Sequence, residues 1–428
     1  MLDRRAATAG PANTAASGPA NTAASVDGDA RPVEVGLFAA PDGARAIYTF
    51  IKRTYDLRDG QPLTRSLCGQ VPLRRTPVEE DGGGSEPVAC LESEADLIPT
   101  KPCTDVVVHG YARTPGAEPC TRLMTGVTVG GLRKRVLVTG DRRLCWRRDG
   151  AHQFSSATPF TALPLTWRRA FGGIDAGVPP RAPGSGGPDP ALDDVAHMIA
   201  HLQPENHPGA YPRNPAGTGW VVRGDARSVD GLALPNFEDP ADLLAPERCV
   251  WSEPGAWRSA PTPAGYGWLA HSWFPRSAFL GVGVREPPSR ALAETRAGWF
   301  TDPVDPREVD PRFWSGASPG MRAVGLEPGH AVELLGLHVE GPLRTCLPSF
   351  PEVQVVYQRG LFPVATPRLH TVELFPDQAL ATLVWVAQTR VDGSLPLSFP
   401  DASAEPQALF EDVCVLLDGE VVPRECMR

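Results

Sequence analysis

Glycine and proline punctuate this chain at about every fifth position, with 43 and 47 among its 428 residues. Glycine opens positive φ, whereas proline fixes φ and removes a backbone donor. Such a chain is rich in turns, and the β-branched and aromatic runs between its breaks read as strands. The clearest run is Val106-Val107-Val108, bounded by Pro99, Pro102 and Gly110, which limit how far its pairing can extend. Lys101 and Asp105, and further on Asp141 and Arg142, set charges at the ends of apolar segments. With no nucleophile, base or metal set to join them, these four are expected to form a polar network that fixes strand ends.

Other strands follow the same logic. Residues 46–56 alternate around Tyr48, Phe50 and Thr54 between Pro41-Asp-Gly43 and Arg58-Asp-Gly60, which is strand–turn spacing. Gly130-Gly131, between two alternating runs, predicts a hairpin, with a bulge as second choice. Pro376-Asp377 predicts another hairpin connection, and Asp418-Gly419 a turn. Residues 76–95, acidic and carrying Gly82-Gly-Gly84, read as a loop. Leu165, Trp167, Ala170 and Phe171 predict one or two helical turns closed by Gly172-Gly173. Asp189-Pro190 opens a longer predicted helix, with Leu192, Val195, Ile199 and Leu202 as its buried stripe.

The expected architecture is mainly β, an antiparallel sandwich or barrel-like set of sheets with long ordered loops and one or two short helices. Residues 1–32 form a tail in which Gly10-Pro-Ala-Asn-Thr-Ala-Ala-Ser17 repeats letter for letter as Gly18 to Ser25. That repeat has no large apolar residue to offset the entropy of ordering. Residues 33–290 read as one β domain with an aromatic loop layer, and 291–428 as a C-terminal β region.

A net charge of −9 opposes nonspecific nucleic-acid binding, which needs a basic surface. No apolar run approaches the ~20 residues of a membrane helix. The N-terminus lacks an apolar signal core, and nine scattered cysteines without Cys-x-x-Cys fit reduced thiols, so a cytoplasmic location is expected. No cofactor is expected.

His197 and His201 share a helical face, with Asp194 one turn earlier, a spacing metal ligands can use. That face lies opposite the apolar stripe and lacks the His-Glu-x-x-His glutamate, so it reads as solvated and no metal is expected. Pro183-Gly-Ser-Gly-Gly187 falls short of a nucleophile elbow. Gly281-Val-Gly-Val284 and Gly130-Gly131 lack the sequence context of phosphate loops. A carboxylate pair for glycoside hydrolysis stays open, because acidic residues are plentiful. Ten tryptophans either fill a loop-rich core or serve as contact anchors.

An ordered series of short motifs adds a resemblance. It runs through Phe50-Ile-Lys-Arg-Thr-Tyr-Asp-Leu57, Ser93-Glu-Ala-Asp-Leu97, Lys101-Pro-Cys-Thr-Asp-Val-Val-Val-His-Gly110, Gly140-Asp-Arg142 and Leu163-Pro-Leu-Thr-Trp-Arg-Arg-Ala-Phe-Gly-Gly173. It continues with Asn214-Pro-Ala-Gly-Thr-Gly219, Leu234-Pro-Asn-Phe-Glu-Asp-Pro240 and Trp273-Phe-Pro-Arg276. Over residues 35–315 or so the chain resembles the family first catalogued as domain of unknown function twenty-one sixty-nine. Residues 369–391 resemble that family's C-terminal portion less distinctly. The resemblance implies a type VI secretion accessory protein, encoded beside VgrG spike, PAAR-tip and toxin genes. It implies a non-catalytic adaptor or chaperone that loads a toxic effector onto the spike, and it supplies no catalytic residues. The tail and the 176–212 region depart from the family pattern.

An adaptor needs a broad surface with aromatic anchors. Trp167, Phe171, Trp220 and Phe237, dense beside glycine and proline turns, are the expected partner-binding residues. The alternative is a carbohydrate-binding or glycoside-processing β protein.

Overall fold

Short β-branched runs between turn residues become strands, and the computed structural model shows how they assemble. It describes residues 31–39, 45–67, 69–80, 88, 90–147, 149–175, 177–178, 209–222, 229–251, 254–276, 279, 310–357, 360–361, 364–390 and 413–426. The principal strands are β1 (Val33–Ala39), β2 (Arg45–Asp56), β3 (Thr64–Arg65), β4 (Thr104–Val108), β5 (Arg122–Val129), β6 (Leu132–Thr139) and β7 (Phe237–Glu238). They continue as β8 (Arg322–Ala323), β9 (Ala331–Leu335), β10 (Leu343–Cys346), β11 (Val353–Tyr357), β12 (Arg368–Phe375), β13 (Leu380–Arg390) and β14 (Val413–Leu417). The fold is mainly β, with several largely antiparallel sheets. Its described helices are short 3-10 turns, and the described strands close no barrel.

A seven-stranded sheet runs β1-β2-β13-β12-β4-β8, with β3 paired to β2. Among its described strands only β4 and β12 lie parallel. A five-stranded sheet runs β7-β6-β5-β9-β10, and β11 and β14 centre a smaller one. The Gly130-Gly131 hairpin joins β5 to β6, Gly130 taking φ 55°. Pro376–Gln378 forms a 3-10 turn, ended by Ala379 in the left-handed region, that joins β12 to β13.

Period-two alternation assigns each residue of the large sheet to a face. On one face Ile51 and Tyr55 of β2, Ala381, Leu383 and Trp385 of β13, Val372 and Leu374 of β12, and Val106 and Val108 of β4 all lie in the main core. Each fully buried aliphatic side chain there contributes about 1.5–3 kcal/mol. The same register places Lys52, Val384, Thr371, Asp105 and Arg322 in one row of the opposite face. Thr54, Thr382, Glu373 and Val107 form the next row. Both rows are largely buried although they carry charge, so this face is a polar interior.

Two local expectations are revised. Residues 76–95 contain a short antiparallel pair, Val78–Glu79 with Leu91–Ser93. The expected helix at 165–171 contracts to a 3-10 turn at Trp167–Arg169, because Phe171–Gly172 pairs with Thr218–Gly219 instead. The predicted helix from Asp189 lies outside the described residues. So does the expected break at 290/291, and strands from both sides of it pair in the large sheet.

Candidate functional site

The polar face of the large sheet is closed over by residues 70–74 and 93–101 and by loops near 268–276 and 313–317. Charged groups meet there in three linked clusters. At the centre Glu373 of β12, fully buried, accepts from Arg74 Nη1 at 2.8 Å, Thr382 Oγ1 at 3.1 Å and Trp268 Nε1 at 3.4 Å. His109 Nε2 lies 3.3 Å from it and Lys52 Nζ 3.9 Å. Lys52, also fully buried, donates to Asp96 Oδ2 at 2.7 Å, which further accepts the Arg74 backbone N–H at 2.7 Å.

Beside it, Lys101 Nζ donates to Asp105 Oδ2 at 2.8 Å and to Thr371 Oγ1 at 3.2 Å. Asp105 also accepts the backbone N–H groups of Gly316 and Ala317, each at 3.1 Å. In the third cluster Arg276 pairs with Glu94 and donates to the Phe313 and Leu269 carbonyls. His271 Nε2 stands 3.3 Å from Glu94.

Electrostatics decides what these acids can do. Burial alone would raise Glu94, but Arg276 and His271 hold its carboxyl far below the usual range. Against the same burial, Arg74, His109 and Lys52 hold Glu373 well below the usual range. Burial, reinforced by Arg276, keeps His271 below its ordinary value. These shifts lock the carboxylates ionised, whereas a general acid needs its carboxyl raised towards neutral pH. The arrangement therefore holds the sheet's polar face to its covering loops.

Most of the charged motif residues of the sequence converge on two places. Lys52, Glu94, Asp96, Lys101, Asp105, His109 and Arg276 all lie in this layer. The remaining motifs meet around β6 and β7. Arg142 pairs with Glu238, which also accepts the Leu244 N–H at 2.8 Å. Asp141, its side chain 70% exposed, accepts instead from Arg169 at 3.1 Å and Asn236 at 3.0 Å. The four residues expected as one polar network thus sit at two separate places. Asp141 is a surface group, because adjacent residues of extended chain point to opposite sides.

The four expected contact aromatics are interior. Trp167 and Phe237 lie in the main core, and Phe171 and Trp220 in a second cluster with Tyr211, Leu234 and Trp257. Trp167 donates Nε1–H to the Trp268 carbonyl at 2.6 Å, and Trp220 to the Gly209 carbonyl at 3.0 Å. None exceeds 5% exposure, so they are corrected from surface anchors to packing residues in this conformation. The cause is close backbone approach. At Gly172, φ +147°, a Cβ would fall 2.0 Å from the Asn214 carbonyl oxygen, so the loops fold in over the rings. Asn214 fastens that contact by donating to the Trp167 carbonyl at 2.8 Å and the Phe171 carbonyl at 3.1 Å. Asn214→Ala is expected to cost about 2 kcal/mol in urea unfolding, since two buried carbonyls lose their donor. A change below the error of the fit would mean that water substitutes for the amide.

The clefts among the described residues include one beside β6 and one beside β4 and β12. One of about 470 Å³ is lined by Arg133, Lys134, Arg135, Asp239 and Pro263 among others. Lys134 there donates to the Gly265 carbonyl at 2.5 Å, Pro319 carbonyl at 2.7 Å and Ser318 Oγ at 3.0 Å, tying two loops to β6. The other, about 320 Å³, lies where β4 and β12 begin. Among the described residues no three His, Cys, Asp or Glu side chains converge to hold a metal, and no helix is long and apolar enough to cross a membrane. His197 and His201 lie outside the described residues.

A family model described as "Uncharacterized protein conserved in bacteria (DUF2169)" matches residues 42–386. The chain belongs to this family. The DUF2169 match begins just before β2 and ends within β13, and these strands are neighbours, with Phe50 opposite Val386. The family segment therefore closes on itself, and it includes β12 and Glu373, beyond the 35–315 span of the clearest motifs. No curated protein and no solved structure matches the chain.

Proposed function

We propose that this DUF2169 protein is a non-catalytic adaptor or chaperone. It binds a toxic effector and helps load it onto the VgrG/PAAR-type spike of a type VI or related contractile secretion system. The observation that supports this reading most is the state of the motif carboxylates. Glu94, Asp96, Asp105 and Glu373 are enclosed and paired with Arg276, Lys52, Lys101 and Arg74. Acids spent in this way stabilise a scaffold, and they favour a protein that works through its surface. The ordered motif series supports the secretion context, and membership of a bacterial family agrees with it.

The test is co-expression of the tagged protein with a VgrG/PAAR-type spike protein and a toxin from the same genome. A stoichiometric complex that survives size exclusion is expected, together with loss of toxin export on deletion of this gene. Saturable binding of soluble glycans, with no complex formed, would favour the carbohydrate reading and end this one.

A further inference from the structure

Strand β6 is paired along its whole length with β5, but along only part of its other edge. The Gly140 N–H donates to the Thr121 carbonyl beside β5, at 3.0 Å, and the Thr139 N–H to the Asn236 carbonyl beside β7, at 2.8 Å. Alternation therefore turns the even residues of β6 towards β5 and the odd ones towards β7. β7 answers Leu137 and Val138 and then stops. In the same register Pro240 would stand opposite Arg135, and proline has no N–H to give. Asp239 folds the chain away instead. Its carboxylate accepts the Ala241 N–H at 2.9 Å, and its carbonyl the Asp242 N–H at 3.0 Å. The backbone N–H and C=O groups of Arg133 and Arg135 thus face the cleft of about 470 Å³, with no partner among the described residues.

An open strand edge is a template for another chain, and charge decides which chain it accepts. Arg133 and Arg135 are exposed, share one face of β6, and make no hydrogen bond or ion pair among the described residues. Lys134 between them meets only neutral oxygens, and burial pushes its ammonium down to about 7. Asp239 is the single acid lining the cleft. Pro263 and Pro319, also in the lining, have no N–H to offer the β6 carbonyls. Three successive cations repel a second copy of the same edge, whereas an acidic strand is attracted.

We propose that this gap takes an extended segment of a partner protein, which adds to β6 as a short antiparallel strand and sets acidic side chains at alternate positions against Arg133 and Arg135. Main-chain hydrogen bonds hold the segment, and the alternate side chains select it. The open edge spans about 7 Å, so a stretch of about three to five residues fills it. The slot rests on the pairing of β6 alone and stands whether or not the partner belongs to a secretion spike.

The probe is acetyl-Glu-Val-Glu-Val-Glu-amide, titrated calorimetrically into the full chain at low salt. Saturable one-to-one binding is expected. In an antiparallel strand the glutamates opposite the two arginines turn their N–H groups to β6, and the valines turn theirs away. N-methylation of the central glutamate is therefore expected to weaken binding about ten-fold, and N-methylation of the valine after it to leave binding unchanged. Arg133→Gln, at an exposed site, is expected to weaken binding about five-fold, and a probe with glutamine for every glutamate about ten-fold or more. Equal affinity of the two N-methylated probes would show that no strand is added and would overturn the proposal. Equal affinity of the glutamine probe would overturn it too, because charge would then select nothing. Equally tight binding of a five-nucleotide oligothymidylate would make the arginines a general anion surface, and no saturable binding of the probe would leave the edge closed; either result overturns it.

Discussion

Replacing Glu373 by glutamine is expected to lower the unfolding free energy by about 3–5 kcal/mol, the range for removing one partner from a buried ion pair. Glutamine keeps the shape and one carbonyl acceptor, so the loss measures charge rather than volume. Glu373 answers Arg74 at 2.8 Å and Lys52 at 3.9 Å, and His109 stacks beside it on Phe375. Without it, Lys52 and Arg74 would share Asp96 alone in a medium that screens poorly. Urea unfolding at neutral pH gives the number. Arg53–Asp418 is the internal control, since Asp418 is half exposed and such pairs contribute about 0–1 kcal/mol. If Glu373→Gln cost no more than Asp418→Asn, the layer would be hydrated and the account of it wrong. Removing the stranded cation as well, in Glu373→Gln/Arg74→Met, should recover part of the loss.

Much of the β architecture was legible in local sequence because strands and turns are local chemistry. Val106–Val108, the Gly130-Gly131 hairpin and the Pro376-Asp377 connection needed no tertiary information. The polar face was hidden for the opposite reason. In β2 the alternation Tyr48, Phe50, Lys52, Thr54 mixes apolar and polar residues on one side. No pattern rule identifies a lysine in that row as buried. Its partners come from distant segments: Glu94 meets Arg276 across 182 positions, and Arg74 meets Glu373 across 299. The pair Lys101 and Asp105, four positions apart, is within reach of local reading, and Glu94, Asp96 and Glu373 are not. Aromatic density misled in the 160–240 region. Rings beside glycine-rich turns suit an exposed platform or a folded-in core equally well. What decides between them is the backbone approach of Gly172 to Asn214, a tertiary fact.

Acidification is expected to weaken the fold before any carboxylate reaches its ordinary pKa. Burial, with Lys101 and Arg368 nearby, pushes His370 down to about 3 in the folded chain, from its ordinary value near 6.5 when unfolded. Between those values the unfolded chain binds the extra proton, so stability falls as pH falls. From pH 6.5 to 5 this single group removes about 2 kcal/mol, at about 1.4 kcal/mol per pH unit. His271, also depressed, acts in the same direction. Glu94 and Glu373 add their share only below about pH 4.5, where the unfolded carboxyls begin to protonate while the folded ones stay ionised. The result should be two stages: a first decline set by histidine and a steeper one set by the ion-pair layer. Urea midpoints measured from pH 7 to 4 separate them. His370→Gln should flatten the first stage and leave the second in place, whereas Glu373→Gln should lower the whole curve and blunt the second. A single transition near pH 4 in the native protein, unchanged by His370→Gln, would show that the imidazole is hydrated.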